Sequence, residues 1–168
     1  MTPAVRIRPI RPADGADLER FYETLTPDSR WSRFFGATAG LSHQQSSFFC
    51  APDHRHREGF VAEMPVVGRD RPQIVGHLCL EPDGDGTAEV AIAVGDALQG
   101  QGIGLRLMDA GLAWAAREGI STLTATMLEG SLGIRRLLAA TELPLCFRAI
   151  GSNVSGVSID LRSRSAAA

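Results

Sequence analysis

The stretch of this chain best equipped for chemistry runs Asp96-Ala97-Leu98-Gln99-Gly100-Gln101-Gly102-Ile103-Gly104-Leu105-Arg106. Glycines at 100, 102 and 104 let the backbone bend sharply and approach a ligand closely. A strand-like run precedes them and a helical pattern follows. The unbonded N–H groups of the helix's first turn therefore face the turn, and the helix dipole adds about half a positive charge there. That is an anion site built from backbone, and a diphosphate is its natural guest. The other reactive side chains do not converge. Cys50, Cys79 and Cys146 are far apart, odd in number and without CxxC spacing, and Cys79 lies in an apolar run that reads as buried. His54 and His56 stand two apart beside Asp53 in a polar loop, which reads as solvated rather than metal-binding, and His77 reads as a satisfied histidine within a strand, so no metal is expected. No Ser-Gly pair has the strand–turn–helix setting of a nucleophile elbow.

Three glycine-rich signatures compete for the turn. A Rossmann fingerprint needs a third glycine three residues after the second, and those positions hold Leu105 or Leu107. A Walker loop needs Gly-Lys-Ser/Thr, and the chain contains no lysine. The pattern Gln/Arg-x-x-Gly-x-Gly/Ala remains, and Gln99, Gly102 and Gly104 meet it.

The elements that must hold this turn follow from periodicity and punctuation. Val5 to Ile10 alternates like a half-buried strand. Asp14 is placed as the N-cap of a helix through Leu25, with Leu18, Phe21, Tyr22 and Leu25 on one face. Thr26-Pro27 opens a second helix whose apolar face is Trp31, Phe34 and Phe35, with Arg30 and Arg33 solvated or structural. Ser42 opens a third over residues 42–50, and Ala51 to Arg57 is a loop. Gly59–Glu63, Gln73–Leu80 and Thr87–Val94 form a three-strand meander, joined by the linker Pro65–Pro72 and the turn Pro82–Gly86. Val90, Ile92 and Val94 fall on one side of the last strand, Glu89, Ala91 and Ala93 on the other. An amphipathic helix then spans Gly102 to Arg117, closed by Gly119. Ser121–Met127 is the next strand, Gly130 or Ser131 opens a helix to Ala140, and Leu145–Ile150 and Val154–Leu161 form a final hairpin. The sum is an α/β, layered α+β fold: a mixed, mostly antiparallel sheet of about seven strands flanked by helices. One domain is assigned to residues 1–161 and a flexible tail to 162–168.

Composition narrows the partners. The chain has 168 residues, 44% hydrophobic and 21% charged, with enough apolar material for a real core. A net charge of −2 gives no basic excess for nucleic acid or for a membrane surface, and neither is expected as a partner. No apolar run approaches the ~20 residues that span a bilayer. The N-terminus lacks the apolar core of a signal peptide, and the scattered cysteines suit a reducing cytoplasm, so a cytoplasmic location is expected. All 17 basic residues are arginine, so an enzyme acting on lysine would find no lysine target on itself.

With these residues in view, the chain resembles the GNAT superfamily of acetyl-CoA-dependent N-acetyltransferases. QGQGIG is similar to that family's pyrophosphate loop, and the element order matches its fold over nearly the whole chain. IRPIRPADGADLERFYETLTPDSRWSRFF, DHRHREGFVA and AEVAIAV are similar to bacterial protein lysine acetyltransferases of the Pat type. The resemblance implies acetyl-CoA as cosubstrate. Its pyrophosphate would lie on Gln99, Gly100, Gln101, Gly102, Ile103, Gly104 and Leu105. Its pantetheine arm would pair with Ile92, Ala93 and Val94 as an added strand does, and an N–H near Val94 would polarise the thioester carbonyl. Arg106 has two readings, a phosphate ligand or an exposed helix arginine. Glu89 is the catalytic candidate: Pat-type enzymes place a general base there, and partial burial would raise its pKa into a useful range.

One departure concerns the leaving thiolate. Many relatives open the helix after the next strand with asparagine and protonate the thiolate with a nearby tyrosine. Here Leu128 to Gly133 contains neither, and Tyr22, the only tyrosine, is remote in sequence. Water then supplies the proton, or Ser131 replaces part of the missing contact with the cosubstrate. The expected activity is acetyl transfer to a primary amine, on a protein lysine or a small molecule, by direct attack. The alternative is a non-catalytic acyl-CoA-binding sensor or interaction module, and a third reading is a binder of another anionic nucleotide. Monomer and homodimer both stay open.

Overall fold

The chain is described by a computed structural model covering residues 4–165. Seven strands form one sheet in the order β1-β2-β3-β4-β5-β7-β6. They are β1 (Arg6–Pro9), β2 (Glu58–Met64), β3 (Gln73–Pro82), β4 (Thr87–Val94), β5 (Thr122–Leu128), β6 (Leu145–Gly151) and β7 (Val154–Asp160). Every neighbouring pair is antiparallel except β4 and β5, which run parallel. Parallel neighbours need a crossover, and α4 (Ile103–Arg117) supplies it. This is the mixed, mostly antiparallel sheet that the sequence predicts, and its strands fall where the period-2 runs lie.

The helices divide between the two faces. Leu107, Met108, Leu112, Trp114 and Ala115 of α4 are buried with Leu78, Leu80, Ala88, Val90 and Leu123 of the sheet. α5 (Leu132–Ala140) joins the same core through Leu138, Ile134 and Leu137. Each fully buried aliphatic side chain here contributes roughly 1.5–3 kcal/mol. On the opposite face, α1 (Gly15–Thr24) and α3 (His43–Cys50) bury Leu18, Phe21, Tyr22 and Cys50 against Ile10, Val61 and Ile74. Between β2 and β3 the register jumps from Ala62↔Gly76 to Glu63↔Ile74, leaving Val75 as a bulge. Accordingly Val75 packs in the α4 core and Ile74 in the opposite one.

Several local expectations need correction. Asp14 does not cap α1 with its side chain. Its carboxylate accepts from both terminal nitrogens of Arg8, at 2.7 and 2.9 Å, and from the Arg11 N–H at 2.7 Å, while the Arg8 Nε–H binds Glu63 at 2.7 Å. An arginine fork offers stronger, charge-assisted partners than a helix end does. On α2 (Pro27–Phe34), Thr26 caps as expected, accepting from the Ser29 N–H at 3.3 Å. Only Phe34 reaches the core from the expected apolar face: Trp31 and Phe35 are 49% and 38% exposed. Within the expected tail, Arg162–Ser165 forms a turn of helix, with the Arg162 guanidinium on Asp160 at 2.7 Å. The rest of that tail, 166–168, lies outside the described residues. Among the described residues no helix is long and apolar enough to cross a membrane.

Candidate active site

β4 and β5 begin side by side and then part. Their pairing covers Thr87↔Thr122, Ala88↔Leu123 and Glu89↔Thr124 and stops there, while β5 continues to Leu128 on β7. From Val90 onward, β4 has a neighbour only on its β3 side. The Gly95 N–H donates to Val75 O at 2.9 Å, and the Asp83 N–H donates to Thr87 O at 3.0 Å. Odd-numbered residues of β4 thus turn their backbone groups toward β3. By the alternation of an antiparallel ladder, Val90, Ile92 and Val94 turn theirs toward the gap. The Val94 carbonyl is taken by the Gln99 side chain, whose Nε2 donates to it at 3.2 Å. This leaves a short free strand edge at Ile92 and the Val94 N–H, shaped to receive an extended amide-bearing chain. Ala93 contributes differently: its backbone faces β3 opposite His77, and its side chain packs in the α1–α3 core.

The glycine turn follows directly. A 3-10 turn over Asp96–Leu98 leads into it, and the Gln101 side chain donates back to Ala97 O at 3.3 Å. Gly100 and Gly102 have φ of 74° and 79°, and a Cβ at either position would meet nothing within 4 Å. Both occupy the left-handed region that disfavours other residues, and both border open space. Gly104 differs. It sits in the right-handed first turn of α4, where a Cβ would make ordinary contact with Leu137 at 3.6 Å. The expectation that all three glycines shape the bend is therefore corrected to two. The first internal bond of α4 runs from the Arg106 N–H to Gly102 O at 3.1 Å. The N–H groups of Ile103, Gly104 and Leu105 precede it and have no carbonyl one turn back. Ile103 is 3% exposed, so its side chain anchors the turn in the core and only its backbone can meet a ligand. Arg106 is exposed and has no ion-pair partner among the described residues.

Because β4 and β5 are parallel, the helices after each begin at the same end of the sheet. Ser131, at the start of α5, is half-buried; its N–H donates to Leu128 O at 3.1 Å, and its hydroxyl caps nothing. The site thus offers donors from two helix ends, a free strand edge and an uncommitted arginine. That set suits a long ligand with phosphates at one end and amides along its length.

Glu89 lies on the opposite face from α4, at the point where the strands part. It is exposed, which corrects the expected partial burial. Its cross-strand neighbour is Glu81, whose carboxylate is held by the Arg57 fork at 2.6 and 3.2 Å. On this face α2 packs over β4 and β5. Arg33 of α2 reaches Cys79 Sγ at 3.2 Å, and Cys79 pairs with Ala91, one step along the same face from Glu89. Burial pushes the Cys79 thiol up. Arg33 is half-buried, with its Nε shielded and unpartnered.

Tyr22 cannot serve as an acid for a thiolate here. It is fully buried, its hydroxyl is 2.9 Å from His77 Nδ1, and burial pushes its pKa up to about 12. His77 is held neutral, pushed down to about 3 by burial and then by Arg33. Its Nε2 is buried without a partner, so the expectation of full satisfaction holds for one ring nitrogen only. His54 and His56 turn to different carboxylates, Glu58 and Asp53, each at 2.9 Å. Among the described residues no group of three or more histidines, cysteines or carboxylates could hold a metal ion.

Sequence reasoning missed one contact set. Asp96 accepts from the Thr26 N–H and hydroxyl, each at 3.0 Å, and from the Ser29 hydroxyl at 2.5 Å. Burial pushes this carboxyl up, but those hydrogen bonds outweigh it and hold it low. Nothing in the local pattern of Gly95–Leu98 signals a partner 70 residues away.

Comparison with known proteins agrees with this geometry. The GNAT domain of a Streptomyces lividans protein named PAT superposes with a TM-score of 0.81 at 26% identity, over 93% of this chain and 90% of that one. Salmonella typhimurium yncA, solved with its cofactor acetyl-CoA, shares the fold at a TM-score of 0.72 and 18% identity, over 94% of each chain. A cAMP-binding acyltransferase of Mycobacterium smegmatis matches at 0.61 and 21% identity, over 94% of this chain but 44% of its own. The model of the acetyltransferase (GNAT) family matches residues 18–139. A parted parallel strand pair, a glycine turn of two left-handed residues and a helix end free for an anion are how this sequence builds that family's fold, and the chain belongs to the GNAT family of acetyltransferases.

Proposed function

We propose that this acetyltransferase moves the acetyl group of acetyl-CoA to a primary amine, with protein lysine as the leading acceptor, and that Glu89 is the general base. The observation that carries this reading is the parting of β4 from β5 immediately after Glu89. It puts a free strand edge for the pantetheine arm and an exposed carboxylate on the same few residues. The diphosphate would rest on the N–H groups from Gly102 to Leu105, with Arg106 as an added charge. An acceptor would enter on the face of α2, where Glu89 stands.

An alkyl ammonium has a reference pKa near 10.4, so it must lose a proton before it can attack. Glu89 takes that proton, directly or through water. The amine nitrogen then forms its bond to the thioester carbon, the carbon–sulfur bond breaks with its electron pair on sulfur, and the nitrogen gives up its second proton to water. The Val94 N–H would stabilise negative charge on the carbonyl oxygen, a contribution of a few kcal/mol from a backbone donor. With Tyr22 sealed in the core, the thiolate takes its proton from water, which the open gap admits. The resemblance of the N-terminal stretch, DHRHREGFVA and AEVAIAV to Pat-type protein lysine acetyltransferases favours a protein acceptor over a small amine.

The decisive variant is Glu89→Gln. Acetyl-CoA affinity should stay within about threefold, while turnover falls by about 10²-fold or more, as removal of a general base does. Coenzyme A release against a panel of lysine peptides and small amines measures both substrate class and rate. Unchanged turnover in Glu89→Gln rejects Glu89 as the base. Turnover with small amines alone rejects the protein acceptor.

A further inference from the structure

The 3-10 turn over Asp96–Leu98 is bonded on two sides. Toward the glycine turn, the side chain of Gln101 grips Ala97 and that of Gln99 grips the end of β4. Toward α2, the Asp96 carboxylate takes three hydrogen bonds from Thr26 and Ser29, the cap and first turn of that helix. A single carboxylate thus joins the loop proposed to hold the diphosphate to the helix that overlies Glu89. α2 is otherwise held by polar ties, from Arg33 to Cys79 Sγ and from Arg30 to the carbonyls of Leu25 and Thr38, and it buries little apolar surface. Of its residues only Phe34 packs in a core, Trp31 is half exposed, and the helix ends in a strained left-handed Phe35 with φ of 52°. A short helix with so little buried area sits at the low-stability end of a structure and is readily ordered or loosened by one added tether.

We infer that Asp96 is a positioning residue that ties α2 to the cofactor loop, so that acetyl-CoA in the loop orders the wall against which the acceptor amine docks. The inference rests on the proposed placement of acetyl-CoA and acceptor. It adds that one carboxylate links the two sites. Reciprocity requires the converse: an acceptor that orders α2 tightens acetyl-CoA by the same factor.

Hydrogen–deuterium exchange of the full chain, with and without saturating acetyl-CoA, tests it without relying on turnover. In the native sequence, acetyl-CoA should slow exchange both in residues 99–106 and in residues 27–34, the latter by about fivefold or more, the low end of ordinary coupling. In Asp96→Ala the loop should still be protected and α2 should not. Acceptor affinity in the presence of acetyl-CoA should fall by a similar factor, with acetyl-CoA affinity measured alone unchanged within twofold. Ser29→Ala removes one of the three bonds while leaving the Thr26 cap intact, and should give an intermediate loss even if Asp96→Ala unfolds. Protection of α2 in Ser29→Ala and Asp96→Ala equal to that of the native sequence overturns the inference. So does an α2 that ignores acetyl-CoA in the native sequence while the loop responds. Absence of protection at both segments removes the cofactor placement as well, so the two failures are distinguishable.

Discussion

Two glycines of the turn, Gly102 and Gly104, occupy the last two glycine positions of one motif yet should respond to alanine in opposite directions. Gly102 has φ of 79° and ψ of 0° at the N-cap of α4. A Cβ there meets no atom within 4 Å, so the cost of alanine is conformational alone. Placing an L-residue in the left-handed region costs about 1–2 kcal/mol. Gly104 is right-handed, and its Cβ would touch Leu137 and Val94 at 3.6 to 3.8 Å, which is ordinary contact. Alanine at that position in the first turn should be neutral or stabilise by up to about 0.5 kcal/mol, a discount on the full helix-interior difference. The two variants should therefore differ by about 2 kcal/mol. With a urea m-value of roughly 2 kcal/mol/M for a chain this size, their midpoints should differ by about 1 M. Calorimetry should show the same split in binding. Gly102→Ala moves the N–H groups that would face the diphosphate and should weaken acetyl-CoA by about tenfold, which is 1.4 kcal/mol. Gly104→Ala leaves them in place and should stay within about threefold. The reasoning fails if Gly104→Ala destabilises as much as Gly102→Ala, or if Gly102→Ala leaves both midpoint and affinity untouched.

The remaining predictions use buried titratable groups and the site itself. His77 is held neutral with a pKa near 3, against 6.5 when unfolded, so the unfolded chain takes up the proton first on acidification. The stability this neutral histidine maintains is complete above about pH 6.5 and is lost as pH falls from there toward 3. The loss should reach about 2 kcal/mol at pH 5. Urea denaturation at pH 7.5 and pH 5 should show that increment in the native sequence and not in His77→Gln; equal pH dependence in the two would refute it. Cys50 and Cys79 are buried and Cys146 is exposed, and burial pushes Cys50 up to about 12. An aromatic disulfide reagent at pH 8 should therefore label one thiol in the folded protein and three in denaturant. Labelling of two or more without unfolding contradicts the burial. Turnover of Glu89→Gln and exchange in Asp96→Ala complete the set.

The sheet was legible in the sequence because its signals are local. Period-2 runs, the Asp-Gly-Asp-Gly turn and the glycine after Arg117 each report on their own few residues, and they place β3, β4, α4 and β5 to within two residues. The phosphate turn was legible for the same reason, since left-handed glycines and a following amphipathic helix are both local statements. Exposure was not. Trp31, Phe34 and Phe35 make one apolar face by spacing, but only Phe34 finds a core, and Trp31 and Phe35 stay largely exposed. Spacing shows which side chains share a face and says nothing of whether another element lies opposite. Asp14 fails as a side-chain cap on similar grounds. Its better partner is Arg8, and the strength of that fork depends on Glu63, 55 residues from Arg8. The link from Asp96 to Thr26 and Ser29 is longer still and leaves no trace in composition or period.

β4 explains why so much of the candidate site rests on one strand. A strand presents its residues in alternating directions: side chains to one face or the other, backbone groups to one neighbour or the other. In most of a sheet all four directions are filled. In β4 the α4 face is filled by Ala88 and Val90 and the β3 edge by the ladder to β3. The β5 edge is vacated beyond Glu89, and the remaining face carries the sparsely buried α2, with Ala93 in the α1–α3 core. Two adjoining directions are therefore open at the same residues. Even-numbered positions offer backbone groups into the gap, and odd-numbered ones offer side chains beneath α2. A thioester paired along the edge and an amine arriving on the face would meet at the strand itself, with Glu89 beside the point where the edge opens. Closing the gap would end this arrangement without touching a reactive group. It is the departure of β5, more than any single side chain, that makes a site of this strand.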